Sequence, residues 1–181
     1  MGRVEEIRIY PVRSLAGTAV PAAEIGPDGL AGDRTWTVTD DDGRPVRAKE
    51  APGIAELDGA AADEDVLSAA VGRPVHLAAL PPRAGVAPVH VVSRQAIARA
   101  ALGDVPEGCS ADDPRANLLI SLEEGGDERA WVGQELRIGD AVLRLTRTPK
   151  HCLGVYADVV TPGTAHPGDA VSLIGEPTTA H

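Results

Sequence analysis

The sequence predicts a predominantly β chain of the α+β class, a barrel or sandwich with one or two short helices. Short runs rich in β-forming residues recur at roughly 8–12-residue spacing, and Gly, Pro and Asp turn signals separate them. The stretch after Ser93 carries the clearest capped helical signature.

Taken in order, residues 4–12 (VEEIRIYPV) alternate around Ile7 and Ile9, and Pro11 removes a ladder donor near the end. Residues 34–39 (RTWTVT) form the next strand, and Asp41-Asp42-Gly43 supplies a turn, so the spacing predicts a hairpin returning over 44–49. Strands follow over 74–80 and 88–92, separated by the Pro-Pro-Arg-Ala-Gly loop at 81–85. Ser93 offers a capping oxygen to an Ala-rich helix reaching about Leu102, and Gly103 suits its C-terminal end. A loop with Pro106, Gly108 and Pro114 leads into the apolar run 117–122 (NLLISL). Strands over 131–138, 141–148, 154–160 and 170–174 complete the set, with turns at Gly139-Asp140 and Pro162-Gly163. The acidic clusters Asp40-Asp41-Asp42 and Asp63-Glu64-Asp65 lack the spacing of a calcium loop and read as solvated loop.

Composition excludes several function classes. Seventeen Lys and Arg against 27 Asp and Glu give a formal charge of −10, a field that repels phosphodiester backbones and argues against nucleic-acid partners. The only aromatic residues are Tyr10, Trp36, Trp131 and Tyr156, too few for stacking platforms, so Val, Leu, Ile and Ala must build the core. No run reaches the roughly 18 apolar residues of a membrane span, and the N-terminal residues lack the apolar centre of a signal peptide. The expected location is therefore cytoplasmic, with no membrane partner.

Cys109 and Cys152 lie far apart, outside any CxxC pair, and no His falls at zinc-ligand spacing with them. There is no Walker loop, no GxGxxG fingerprint and no GxSxG elbow. Cys152 stands out because Arg144 and Arg147 precede it and Lys150 and His151 adjoin it; cations favour the thiolate that attacks, carries sulfur or ligates metal. A buried structural cysteine is the competing reading. Arg13-Ser14, Arg34 and Arg115 each fall at a strand–loop junction, where guanidinium forks match phosphate oxygens, and Asn117 adds an amide able to read a heterocycle edge. Ordinary surface salt bridges are the competing reading for these cations. Glu128 and Trp131 read as structural, and His76, His90, His166 and His181 belong to no constellation.

These residues fall in a recognisable order: Ile9-Tyr10-Pro11-Val12-Arg13-Ser14, then Gly29-Leu30-Ala31-Gly32-Asp33-Arg34-Thr35-Trp36. Later come Asp113-Pro114-Arg115-Ala116-Asn117-Leu118, Glu128-Arg129-Ala130-Trp131, Ile138-Gly139-Asp140, Cys152, Gly154-Val155-Tyr156-Ala157 and Pro167-Gly168-Asp169-Ala170-Val171. The series resembles MOSC proteins, the C-terminal domain type of molybdenum cofactor sulfurases with the N-terminal MOSC β-barrel region, and is similar to the mitochondrial amidoxime-reducing component. The resemblance implies an N-terminal β-barrel-like region over 1–80 and a MOSC domain proper over 81–181, the two sharing one compact unit. It implies a MOSC-type β-barrel that binds the molybdenum cofactor (molybdopterin), with Cys152 as metal ligand and catalytic residue. Arg13 and Ser14 match the family's Lys-Ser pair near the pterin phosphate, with Arg for Lys. Arg34 matches the Arg of the Asp-Arg-x-Trp motif, and Arg115 and Asn117 match Arg-Pro-Asn with Ala116 for Pro. The segment after Cys152 is shorter than in larger members, and the chain has no pyridoxal phosphate lysine and no haem or iron–sulfur module.

Three readings follow. In the first, the protein reduces N-oxygenated small molecules with electrons from a donor protein. In the second, it is a sulfur carrier that accepts a persulfide on Cys152 from a cysteine desulfurase and delivers it to metal–sulfur cofactor assembly. In the third, it is a cofactor-free binding or scaffold barrel.

Overall fold

The computed structural model describes residues 1–81, 87–105, 114–123, 126–150 and 152–175. Cys109, Asp113, His151, most of the 81–85 loop and the 106–113 loop, all singled out in the sequence, lie outside the described residues. In chain order the strands are β1 (Gly2–Ile9), β2 (Thr18–Val20), β3 (Ala23–Gly26), β4 (Gly29–Leu30), β5 (Trp36–Thr39), β6 (His76–Ala79) and β7 (Val89–Ser93). They continue with β8 (Leu118–Leu122), β9 (Glu135–Ile138), β10 (Ala141–Arg147), β11 (Val155–Thr161), β12 (Gly163–Ala165) and β13 (Ala170–Ile174). Helices α1 (Glu64–Val71) and α2 (Arg94–Ala101) and 3-10 turns at Pro52–Glu56 and Glu128–Trp131 complete the elements.

The chain forms two compact units, one of residues 1–7, 20–31 and 85–181, the other of residues 8–19 and 32–84. The first is built on a closed seven-stranded barrel in the order β1-β13-β9-β10-β11-β7-β8, with β8 returning to β1. Every pairing around it is antiparallel except β7–β8. Alternate residues turn inward, so Leu136 and Ile138, Leu143 and Leu145, Val155 and Ala157, Val89 and Val91, and Leu118 and Ile120 are all fully buried. Strand β1 departs from strict alternation: Val4 and Ile7, three apart, are its buried residues because the register with β8 slips between Val4 and Glu6. A bulge of this kind restores the inward face after the extra residue and bends the strand around the barrel. A small sheet, β12-β3-β4, belongs to the same unit.

Helix α2 follows β7 directly. Ser93 has extended backbone and its hydroxyl accepts from the Ala96 N–H at 2.9 Å, the cap expected from the sequence. Glu128 lies fully buried beneath this cap, with Oε1 accepting from the Ser93 N–H at 3.2 Å and Oε2 from the Ser93 hydroxyl at 2.5 Å. Its reading as a structural residue holds. Trp131 instead closes a 3-10 turn, so the strand begins only at Glu135.

The second unit packs β5 and β6 with α1 and the Pro52–Glu56 turn around Val12, Leu15, Val38, Val46, Ile54, Leu67 and Val75. Here the structure corrects the expected hairpin. Strand β5 pairs along its whole length with β6, whereas 44–49 contributes an isolated Thr39–Pro45 bridge, made by the Val46 N–H to Val38 O and Asp40 N–H to Arg44 O bonds. Beyond this bridge the chain turns away, with the Glu50 and Ala51 N–H groups donating to Arg47 O. The Asp63-Glu64-Asp65 cluster is also corrected from loop to helix start: the Asp63 carboxylate accepts from the Val66 N–H at 2.9 Å, and Glu64 and Asp65 occupy the first turn, where the helix dipole favours them.

Candidate functional site

In the second unit, the segment after β1 is zipped to the segment before β5. The Tyr10 N–H donates to Asp33 Oδ1 at 2.8 Å, Arg34 N–H to Tyr10 O at 2.7 Å, Trp36 N–H to Pro11 O at 3.1 Å and Arg13 N–H to Trp36 O at 2.8 Å. This brings Arg13, Ser14 and Arg34 onto two adjoining stretches. Asp33 also pairs with Arg34 Nη1 at 2.5 Å, and the Arg34 guanidinium lies 5.1 Å from the Tyr10 ring centre, over its face. Tyr10 is buried, and Gly17 passes so close to its ring that a Cβ there would meet ring carbons. An open cleft of about 520 Å³ runs beside these stretches, lined by Ile9, Pro11, Val12, Gly32, Thr35 and Trp36 among others, with no charged side chain.

In the first unit, β7 and β8 and the segments around them assemble a second group. Asn117 is fully buried; its Oδ1 accepts from the His90 N–H at 3.1 Å and its own N–H donates to His90 O at 2.9 Å. The Cys152 thiol, partly buried, donates to Pro114 O at 3.2 Å, joining the segment that carries Arg115 to the one that carries Cys152. The His90 imidazole donates from Nε2 to Leu153 O at 2.8 Å and lies 4.9 Å from the Tyr156 ring. Gly154 has φ +79, and a Cβ there would collide with the Val91 carbonyl oxygen, so the backbone after Cys152 lies directly on β7.

Ser14 (φ 75), Arg34 (φ 49) and Arg115 (φ 49) are the non-glycine residues with positive φ among the described residues. L-residues in this region cost roughly 1–2 kcal/mol each, a strain that persists where the surroundings impose it and that concentrates at functional sites. All three had been singled out from sequence as anion-binding candidates. Their backbone conformation is an independent mark on the same positions.

Two expectations change. Of the cations that precede Cys152 in sequence, Arg144 pairs with Glu135, and Arg147 lies 5.3 Å from the Tyr156 ring centre, over its face. Asn117 directs its oxygen to the β7 backbone, so that half of the amide is structural. Sequence reasoning also missed His90. Within the run VHVVS it looks like a polar intruder in a buried strand, and its side-chain hydrogen bond goes to a backbone carbonyl, which leaves no pattern of residue types to find.

Among the described residues no three His, Cys, Asp or Glu side chains come together as a metal site.

The chain matches the family model described as the MOSC N-terminal beta barrel domain over residues 1–107. The search of curated proteins finds no match. Among solved structures it resembles the YuaD protein from Bacillus subtilis, with TM-score 0.55 and 14% identity over 94% of this chain and 93% of that one. A structure described only as a hypothetical protein matches with TM-score 0.51 and 11% identity, over 96% of this chain and 69% of that one. At these identities the two neighbours speak for the fold alone.

Proposed function

The chain belongs to the family of the MOSC N-terminal beta barrel domain, and from that premise we propose that it binds the molybdenum cofactor, with Cys152 as the protein's ligand to the metal. The observation that carries the reading is the coincidence of left-handed backbone at Ser14, Arg34 and Arg115 with the positions the resemblance gives to the cofactor. Arg13, Ser14 and Arg34 are assigned to the phosphate, where guanidinium forks and a hydroxyl supply directed donors. Arg115 and Asn117 are assigned to the pterin.

The donor set fits the group. A partly buried cysteine gives one soft ligand, and the arginines counter a phosphate in a chain whose net charge would otherwise repel it. When bound, the cofactor supplies two-electron redox chemistry at its metal. The residues of this chain hold and orient it: Pro114 O fixes the direction of the Cys152 thiol before ligation, and Asp33 fixes the Arg34 guanidinium. The proposed net reaction is reduction of the N–O bond of an N-oxygenated small molecule, taking two electrons from an external donor protein and two protons, and releasing water.

The test is expression in a host that makes molybdenum cofactor, with molybdenum per chain measured for the parent and for Cys152→Ser. Near-stoichiometric metal that falls in the variant supports the proposal. No metal in either protein overturns it and moves the case to sulfur carriage, tested by intact mass for a persulfide on Cys152 after incubation with a cysteine desulfurase and cysteine.

A further inference from the structure

We propose that His90 is a positioning residue for the candidate site of the first unit, holding the Cys152 segment and the Arg115–Asn117 segment in one arrangement. The inference rests on the cofactor reading above for its functional meaning, and on geometry alone for the positioning.

His90 sits on β7 with only 5% of its surface exposed, between Val89 and Val91, both fully buried. A strand position of this kind is ordinarily filled by an apolar side chain, because burying an imidazole without a partner is costly. Its partner is the Leu153 carbonyl, one residue beyond Cys152, at 2.8 Å. A carbonyl only accepts, so Nε2 is the donor of this bond. The backbone of His90 meanwhile bonds Asn117 twice, once to its side chain and once to its N–H.

The two segments are therefore fastened to one residue. They are fastened to each other by the Cys152 thiol on Pro114 O, which closes a ring of contacts running through Cys152, Leu153, His90, Asn117 and Pro114. Arg115, with its left-handed backbone, lies inside that ring in sequence. Gly154 presses the same segment onto Val91 O, so hydrogen bonding by His90 and close backbone approach hold two successive residues. Of these fastenings, the imidazole bond is the one a side chain on β7 supplies to the Cys152 segment. Without it, Leu153 O is left in a largely buried place without that donor, and the segment gains by moving outward to water.

The experiment uses the metal-free full-length chain. Alkylation of Cys152 by iodoacetamide is timed by peptide mass mapping in the parent, His90→Leu and His90→Gln. Gln retains an N–H donor at the reach of Nε2, and Leu does not. His90→Leu is expected to label Cys152 about tenfold faster, the scale set by one lost buried hydrogen bond, while His90→Gln stays within about twofold of the parent. Equal labelling of the parent and His90→Leu overturns the proposal. So does His90→Gln behaving like His90→Leu, which would make the residue a packing element. Should His90→Leu fail to fold, His90→Asn, whose amide is one methylene shorter than that of Gln, takes its place with the same expected acceleration, and labelling equal to the parent overturns the proposal. Labelling needs no cofactor, so it judges the positioning. Molybdenum content of the same variants judges the reading on which its meaning depends.

Discussion

Removing the Glu128 carboxylate tests how the barrel and α2 are joined. Glu128 has no exposed surface, and its two oxygens accept from the N–H and the hydroxyl of Ser93, the residue whose hydroxyl in turn caps α2. Glu128→Ala deletes two hydrogen bonds to a carboxylate and leaves the Ser93 N–H buried without its acceptor. At about 1.5–3 kcal/mol for each bond to such a group, less what the rotatable hydroxyl recovers by turning, the loss comes to about 3–5 kcal/mol. Glu128→Gln keeps the volume and the acceptor for the N–H and mispairs only the hydroxyl, so it should cost about 1 kcal/mol. Urea unfolding followed by far-UV circular dichroism, with fluorescence of Trp131 in the same 3-10 turn as a second probe, measures both. If Glu128→Ala unfolds within about 1 kcal/mol of the parent, or no more easily than Glu128→Gln, the buried carboxylate is not what secures the cap.

Other expectations concern single groups. His76 donates toward Asp41 and Glu64 at 3.1 and 3.4 Å, and these bonds, Asp41 first, raise its pKa above the ordinary 6.5. The stabilisation is fully present below pH 6.5 and fades as pH rises through the raised folded value, so the melting temperature should fall across that window in the parent and stay flatter in His76→Gln. Gly154→Ala combines positive φ with a collision against Val91 O and should cost at least about 2 kcal/mol in denaturant titration. Ser14→Gly should raise stability by up to about 1 kcal/mol, since glycine adopts φ 75 freely, while lowering molybdenum retention in cofactor-replete cells.

What the sequence could and could not show follows from which interactions are local. The Ser93 cap, the strand before it and the run over 117–122 were legible because each rests on neighbours within a few residues. The partner of β5 was not: Asp41-Asp42-Gly43 signals a local return, but the strand that pairs with it begins at His76, and nothing near Thr39 encodes that distance. Strands of two to four residues such as β2, β3, β4 and β12 are too short to display a period. In the candidate site, residue types were visible and backbone conformations were not, so Ser14, Arg34 and Arg115 could be named while their left-handed geometry stayed hidden. His90 escaped because its imidazole hydrogen-bonds the main-chain carbonyl of a residue 63 positions away.

The seam of the barrel bears on how such a chain can be made. Strand β1 pairs early with β2, at residues 18–20, but its barrel partners β8 and β13 appear only with residues 118–122 and 170–174. During N-to-C synthesis, the edge of β1 that takes β8 stays bare until residues 118–122 are made, the condition under which nascent strands pair with one another. Arg3, Glu5, Glu6 and Arg8 give that waiting strand a charge at nearly every second position, a protection against premature pairing that the finished barrel no longer needs.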